Sequence, residues 1–104
     1  MSPDAPGWVA VARLADLGDR GRTVVTVRGA EIALFQVDGR VYAIQSRCPH
    51  RNGPLIRGFV EAGPGIRCPM HGWRYDLATG ESDRPARATV YPVRVEGEEI
   101  SVLL

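Results

Sequence analysis

Cys48-Pro49-His50 and Cys68-Pro69-Met70-His71 hold every cysteine and every histidine of this chain. Two thiols and two imidazoles confined to two short segments constrain the fold strongly, because a shared metal centre dictates which loops must meet. Each segment supplies one ligand of each kind. Zinc sites built from two cysteines and two histidines usually pair like with like, as C-x-x-C followed by a histidine pair. The order C-x-H then C-x-x-H suits a wider object, whose two metal ions are reached separately. It points to a two-iron, two-sulfur cluster with both thiolates on one iron and both imidazoles on the other. On the residues alone two alternatives stay open. A Cys48–Cys68 disulfide would leave both histidines unexplained, and a structural zinc would make the chain an interaction module without a redox role.

The segments Cys48-Pro-His50-Arg-Asn-Gly-Pro-Leu55 and Cys68-Pro-Met-His71-Gly-Trp-Arg-Tyr-Asp-Leu-Ala-Thr-Gly80 resemble the two cluster-binding boxes of Rieske iron–sulfur proteins. The resemblance extends through Ile32–Phe35 and Tyr91–Val95. It implies that Cys48 and Cys68 ligate the inner iron of one 2Fe-2S cluster, and His50 and His71 the outer iron. High-potential members carry an extra cysteine in each box, joined as a disulfide; Gly53 and Met70 fill those positions here. Trp73 stands where that class has a serine bonded to a cluster sulfur, while Tyr75 keeps the place of an assisting tyrosine. Hydrogen bonds to sulfur stabilise the reduced cluster, so the loss of one implies a potential toward the lower end of the roughly −150 to +300 mV Rieske range. Asn52 replaces the glycine of many soluble members, and asparagine tolerates positive φ.

At 104 residues the chain suffices for one compact core, not for a cluster domain plus a catalytic domain. We therefore expect a single domain over 1–104, with a cluster-binding subdomain at about Ser46–Leu77. With both histidines committed, no 2-His-1-carboxylate iron site can be assembled. A hydrophobic content of 44% and a formal charge of +1 fit an ordinary globular protein. Met1-Ser-Pro-Asp-Ala-Pro-Gly-Trp8 lacks the features of a secretory signal. No run approaches the roughly 18 apolar residues of a membrane helix. Neither a membrane nor nucleic acid is expected as a partner, and a cytoplasmic location is expected.

Strand signals dominate the chain. Thr23–Val27 and Ile32–Val37 flank a turn at Arg28-Gly29-Ala30, and Asp38-Gly39 joins the latter run to Val41–Gln45 as a hairpin. Val90–Val95 and Glu99–Leu104 flank Glu96-Gly97-Glu98, and Ile100, Val102 and Leu104 alternate onto one face. Ile66–Cys68 and Trp73–Leu77 read as short strands framing the second box. Arg13–Leu17 is the one helical hint, and no internal repeat stands out. The expected architecture is an all-β, antiparallel, Rieske-like sandwich or barrel with the cluster at one end. Pro49 and Pro69 stiffen the two loops. Trp8 and Trp73 are expected to pack, and Met70 either to cap the cluster or to face a partner.

All thirteen basic residues are arginine. Arg47, Arg51, Arg57, Arg67 and Arg74 surround the boxes, against Glu61 alone, so a basic rim at the cluster end is expected. The chain holds no nucleophile–base pair and no nucleotide motif. The reading is a one-electron carrier rather than an enzyme, moving electrons from a flavin-containing reductase to a terminal oxygenase. Ile32–Phe35 and Gly53-Pro54-Leu55 also resemble the small subunit of an NADH-dependent nitrite reductase, whose large subunit would then be the partner.

Overall fold

The computed structural model describes residues 7–50, 52–70 and 72–104. Among the described residues ten strands follow in chain order: β1 (Trp8–Arg13), β2 (Arg22–Val27), β3 (Ala30–Val37), β4 (Arg40–Gln45), β5 (Phe59–Glu61), β6 (Gly65–Arg67), β7 (Arg74–Asp76), β8 (Val90–Tyr91), β9 (Val93–Glu96) and β10 (Glu99–Leu103). They form three antiparallel sheets in the orders β1-β10-β9, β2-β3-β4-β8 and β5-β6-β7. The helical hint resolves as a single 3₁₀ turn, Leu14–Leu17.

The two hairpins of the central sheet follow from residues that accept positive φ. Asp38 and Gly39 lie at φ 52° and 82°, and Arg28 and Gly29 at 51° and 81°. The second turn is thus one residue shorter than its composition suggests, and Ala30 opens β3. Two further strands carried no expectation. β1 pairs with β10 across a register shift between Ala10 and Ala12, and that irregularity blurs its alternation. β5 has only three residues, and its Phe59 is 67% exposed, so it lacks the buried face by which strands are recognised.

β3 explains how the layers stack. Ile32, Ala33, Leu34 and Phe35 are all buried. Side chains alternate across a strand, so a buried run of four requires cover on both faces. Ile32 and Leu34 pack with Ala43, Ile100 and Val102 beneath the β1-β10-β9 sheet. Ala33 and Phe35 pack instead with Ile44, Leu55, Ile66, Tyr75 and both cysteines. The two cysteine-bearing segments are therefore seated on the second face of the central sheet. Each large side chain buried there contributes about 1.5–3 kcal/mol.

The expected single strand Val90–Val95 is split at Pro92. β8 pairs with β4 in the central sheet, while β9 pairs with β10 in the other. Proline has no N–H to donate to a ladder, and the chain changes sheets there; the Pro92 carbonyl still accepts from the Leu103 amide at 3.0 Å. In β10 the expected alternation holds for Ile100 and Val102, though Ser101 is buried as well.

After β7 the chain turns at Asp76–Gly80. The Asp76 carboxylate accepts the amides of Ala78 and Thr79 at 2.8 and 2.9 Å. Gly80 sits at φ 81°, and a Cβ there would run into the Ala88 carbonyl oxygen. Gly97 has φ 61° with open space around it. Gly97→Ala should cost about 1–2 kcal/mol, the backbone penalty alone, and Gly80→Ala roughly twice that or more, because the Ala88 backbone must also shift. Midpoints of urea unfolding followed by circular dichroism measure both.

Candidate metal centre

The two ligand segments are copies of one another. Arg47-Cys48-Pro49 and Arg67-Cys68-Pro69 each open a six-residue loop between paired backbones, Arg47 opposite Pro54 in the first and Arg67 opposite Arg74 in the second. The Cys48 amide donates to the Gly53 carbonyl at 2.8 Å, and the Cys68 amide to the Trp73 carbonyl at 2.8 Å. The Asn52 amide returns to the Cys48 carbonyl at 2.7 Å, and the Gly72 amide to the Cys68 carbonyl at 3.0 Å. Asn52 and Gly72 occupy the same left-handed position, at φ 57° and 73°. The turn expected at Asn52 is therefore formed. This local repeat, which begins with Arg-Cys-Pro, is present in the sequence; the one-residue offset between His50 and His71 conceals it.

Each loop reaches across to the other. A Cβ on Gly53 would lie 2.8 Å from the Cys68 sulfur and against Met70 Cγ, so no larger residue fits. The two positions that carry the extra cysteines of high-potential proteins are thus adjacent here without a bond. In the opposite direction, Tyr75 Oη lies 3.1 Å from Cys48 Sγ. The Trp73 ring stacks on His50 with centroids 3.6 Å apart and planes 6° from parallel, while Arg84 lies over Trp73 at 5.8 Å. Trp73 also packs against the apolar cluster that holds the cysteines, and it adds the imidazole contact to the packing expected of it. Trp8 stacks under Arg94 at 4.7 Å, in the sheet away from the loops.

Cys48 and Cys68 are buried, at 0% and 2% exposure, and no disulfide joins them; the alternative of a Cys48–Cys68 bridge does not hold. Met70 is 55% exposed and faces outward. His71 and Arg51 lie outside the described residues. Tyr75 is fully buried. Burial, and then its bond to Cys48, pushes its phenol far above the ordinary tyrosine range, so it remains an O–H donor. A cysteine bound to metal is a thiolate, and a phenol kept protonated beside it supplies the hydrogen bond that an exposed sulfur would take from water. Two buried soft donors in one apolar cluster, an imidazole held by stacking and a glycine cradle fit an iron–sulfur cluster.

Around this centre three arginines of the expected basic rim are ion-paired, sharing two carboxylates. Arg67 pairs with Glu61 through two contacts of 2.7 and 3.0 Å, and Arg74 reaches the same carboxylate at 3.2 Å. Arg47 lies 3.4 Å from Glu31 on β3, a partner remote in sequence. Among the described residues Arg57 is exposed and without an ion pair.

The Arg67 hydrogen bond, with the charges of Arg67 and Arg74, holds the Glu61 carboxyl below the usual carboxylate range. A lowered folded-state value stabilises the fold above the unfolded value of about 4.3 and loses that contribution as pH falls through the lowered value. Glu61→Gln should therefore lower the melting temperature at neutral pH. Melting curves across a pH series should show the gap closing in acid, below pH about 4.

Residues 7–101 match the model of the Rieske [2Fe-2S] domain. The ferredoxin component of the naphthalene 1,2-dioxygenase system of Pseudomonas aeruginosa is 34% identical over 98 residues, covering 91% of this chain and 93% of that protein. The ferredoxin of carbazole 1,9a-dioxygenase from Nocardioides aromaticivorans IC177 superposes with a TM-score of 0.81 at 33% identity, over 92% of this chain and 96% of that one. A Mycobacterium tuberculosis protein assigned as an NADH-dependent nitrite reductase small subunit superposes at 0.83 with 26% identity, over 94% and 95%. With its paired loops, buried cysteines and match over nearly its whole length, the chain belongs to the Rieske [2Fe-2S] domain family and holds one two-iron, two-sulfur cluster.

Proposed function

We propose that this protein is the ferredoxin of a multicomponent ring-hydroxylating dioxygenase. It takes single electrons from a flavin-containing reductase and delivers them to a terminal oxygenase. The observation that carries this reading is the match over nine-tenths of its length to a dioxygenase ferredoxin component, joined to two paired loops whose cysteines share one buried apolar cluster. It acts as a carrier and not as an enzyme by itself, and we place it in the cytoplasm, which suits cysteines that serve a metal centre and not a structural disulfide. The chain is one Rieske domain, and Ser46–Leu77 is its cluster-binding part.

Within that reading, Cys48 and Cys68 hold one iron and His50 and His71 the other, His71 being assigned from its place in the sequence. When bound, the cluster supplies a one-electron redox site. The protein's own residues set the conditions. The Tyr75 hydroxyl donates to the Cys48 sulfur, the Trp73 ring fixes the plane of His50, and Gly53 lets the second loop close over the first. Trp73 offers its stacking face to His50 where a serine would offer a hydroxyl to sulfur, which favours a low potential.

Purified protein should contain about two irons and two labile sulfides per chain, and Cys68→Ser should abolish the visible spectrum. Full retention of that spectrum would remove the ligand assignment. Tyr75→Phe should keep the cluster and lower its potential by on the order of 60 mV, a tenfold shift of a one-electron equilibrium; voltammetry of both proteins decides it.

A second reading, small subunit of a nitrite reductase, draws on the superposition at a TM-score of 0.83. Reconstitution separates the two. With NADH and a flavoprotein reductase, the protein should support substrate-dependent oxygen uptake by a ring-hydroxylating oxygenase. Absence of oxygen uptake, together with NADH-dependent nitrite reduction in the presence of a nitrite reductase large subunit, would reverse the assignment.

A further inference from the structure

Both loops carry an arginine immediately before the cysteine, and the two arginines act alike. Arg67 Nη1 donates to the Gly72 carbonyl, and Arg47 Nη1 reaches the Asn52 carbonyl at 3.4 Å. These carbonyls belong to the left-handed residue that closes each loop. Each guanidinium is anchored behind by a carboxylate, Glu61 for Arg67 and Glu31 for Arg47. An arginine so placed ties the start of its loop to the end, across the ligand positions. A planar fork can bond a carboxylate and a carbonyl at once, which a lysine ammonium on its flexible stem cannot reproduce.

The two clamps differ in strength. Arg67 takes both oxygens of Glu61, and Arg74 locks that carboxylate from the other side while donating to the Ala62 carbonyl at 2.8 Å. The Arg67 and Glu61 side chains are each 36% exposed. Arg47 has a single contact of 3.4 Å to Glu31, and the two side chains are 55% and 46% exposed. Exposed single pairs of this kind contribute little. A networked, two-point clamp holds its geometry better.

We propose that Arg67, locked by Glu61 and Arg74, is the positioning residue for the second ligand loop, and that Arg47 is a weak counterpart on the first. The role is to fix the backbone between Cys68 and Trp73, and with it the ligand set of one side of the cluster. It rests on the ligand assignment above. That assignment fails if Cys68→Ser keeps its cluster, whereas the clamp fails on a comparison among variants that all retain Cys68.

The test uses cluster-loaded protein bearing Arg67→Gln, Arg67→Lys, Arg47→Gln or Glu61→Gln. Two quantities are read: the rate of bleaching in an iron chelator, and the g-values of the reduced cluster by EPR. Outer-shell partners of metal ligands typically change affinity by 10–100-fold, so Arg67→Gln should bleach about 10-fold faster or more, with shifted g-values. Arg67→Lys should fail to restore either property, and Arg47→Gln should stay within about twofold of the parent. Should Arg67→Gln not fold, Glu61→Gln, which keeps the arginine and removes its anchor charge, should show the same g-value shift with a smaller change in bleaching. Equal behaviour of the Arg47 and Arg67 variants, rescue by lysine, or parental g-values in both Arg67→Gln and Glu61→Gln would overturn the proposal.

Discussion

The approach of Gly53 to the Cys68 sulfur, which leaves no room for a side chain, is the constraint on which the site depends. Two loops from different parts of the chain can share one centre only if their backbones close to within a side chain's width. Everything near the loops serves that closure. The amide of each cysteine is satisfied within its own loop, so neither loop needs water in the gap. Tyr75 and Trp73 cross from the second loop's side to Cys48 and His50. The apolar face of β3 and β4 supports both cysteines from below. Removing any one of these contacts loosens a geometry that the others share, and effects at neighbouring sites of this kind do not add.

The proposed ligands stood out in the sequence because rationed cysteine and histidine leave few other readings. The hairpins at Arg28-Gly29 and Asp38-Gly39 were legible because positive φ demands particular residues. What escaped has a common physical basis. β5 buries no face, β1 is irregular in register, and Pro92 moves the chain between sheets within a run of uniform composition. Each breaks the assumption that one pattern means one strand in one sheet. The same holds in the site. Glu31 lies in β3 and meets Arg47 only through the fold, so a count of charges along the boxes misses this counter-charge.

The distribution of aromatic residues shows how one small layer serves both packing and chemistry. Trp73 belongs to the partly buried surround of the core and also supports the His50 ring. Tyr75 is the largest fully buried side chain and also the hydroxyl neighbour of Cys48. They lie two residues apart, at the end of the second loop and on β7. A three-residue strand paired to β6 thereby places two functional groups against the opposite loop.

The burial of both thiols has a consequence for how the protein is made. At 0% and 2% exposure, neither sulfur is open to a donor complex while the loops are closed. Iron and sulfide therefore enter through a locally opened form, whose population is set by the free energy of parting one loop from the other. That energy belongs to a small part of the molecule, so the β1-β10-β9 layer can remain folded while the centre is assembled. Once loaded, the two loops are joined through metal as well as through packing, and the free energy of loading is added to that of the closed form. Loading and stability are in this way linked, and every contact that favours the closed loops also favours retention of the cluster.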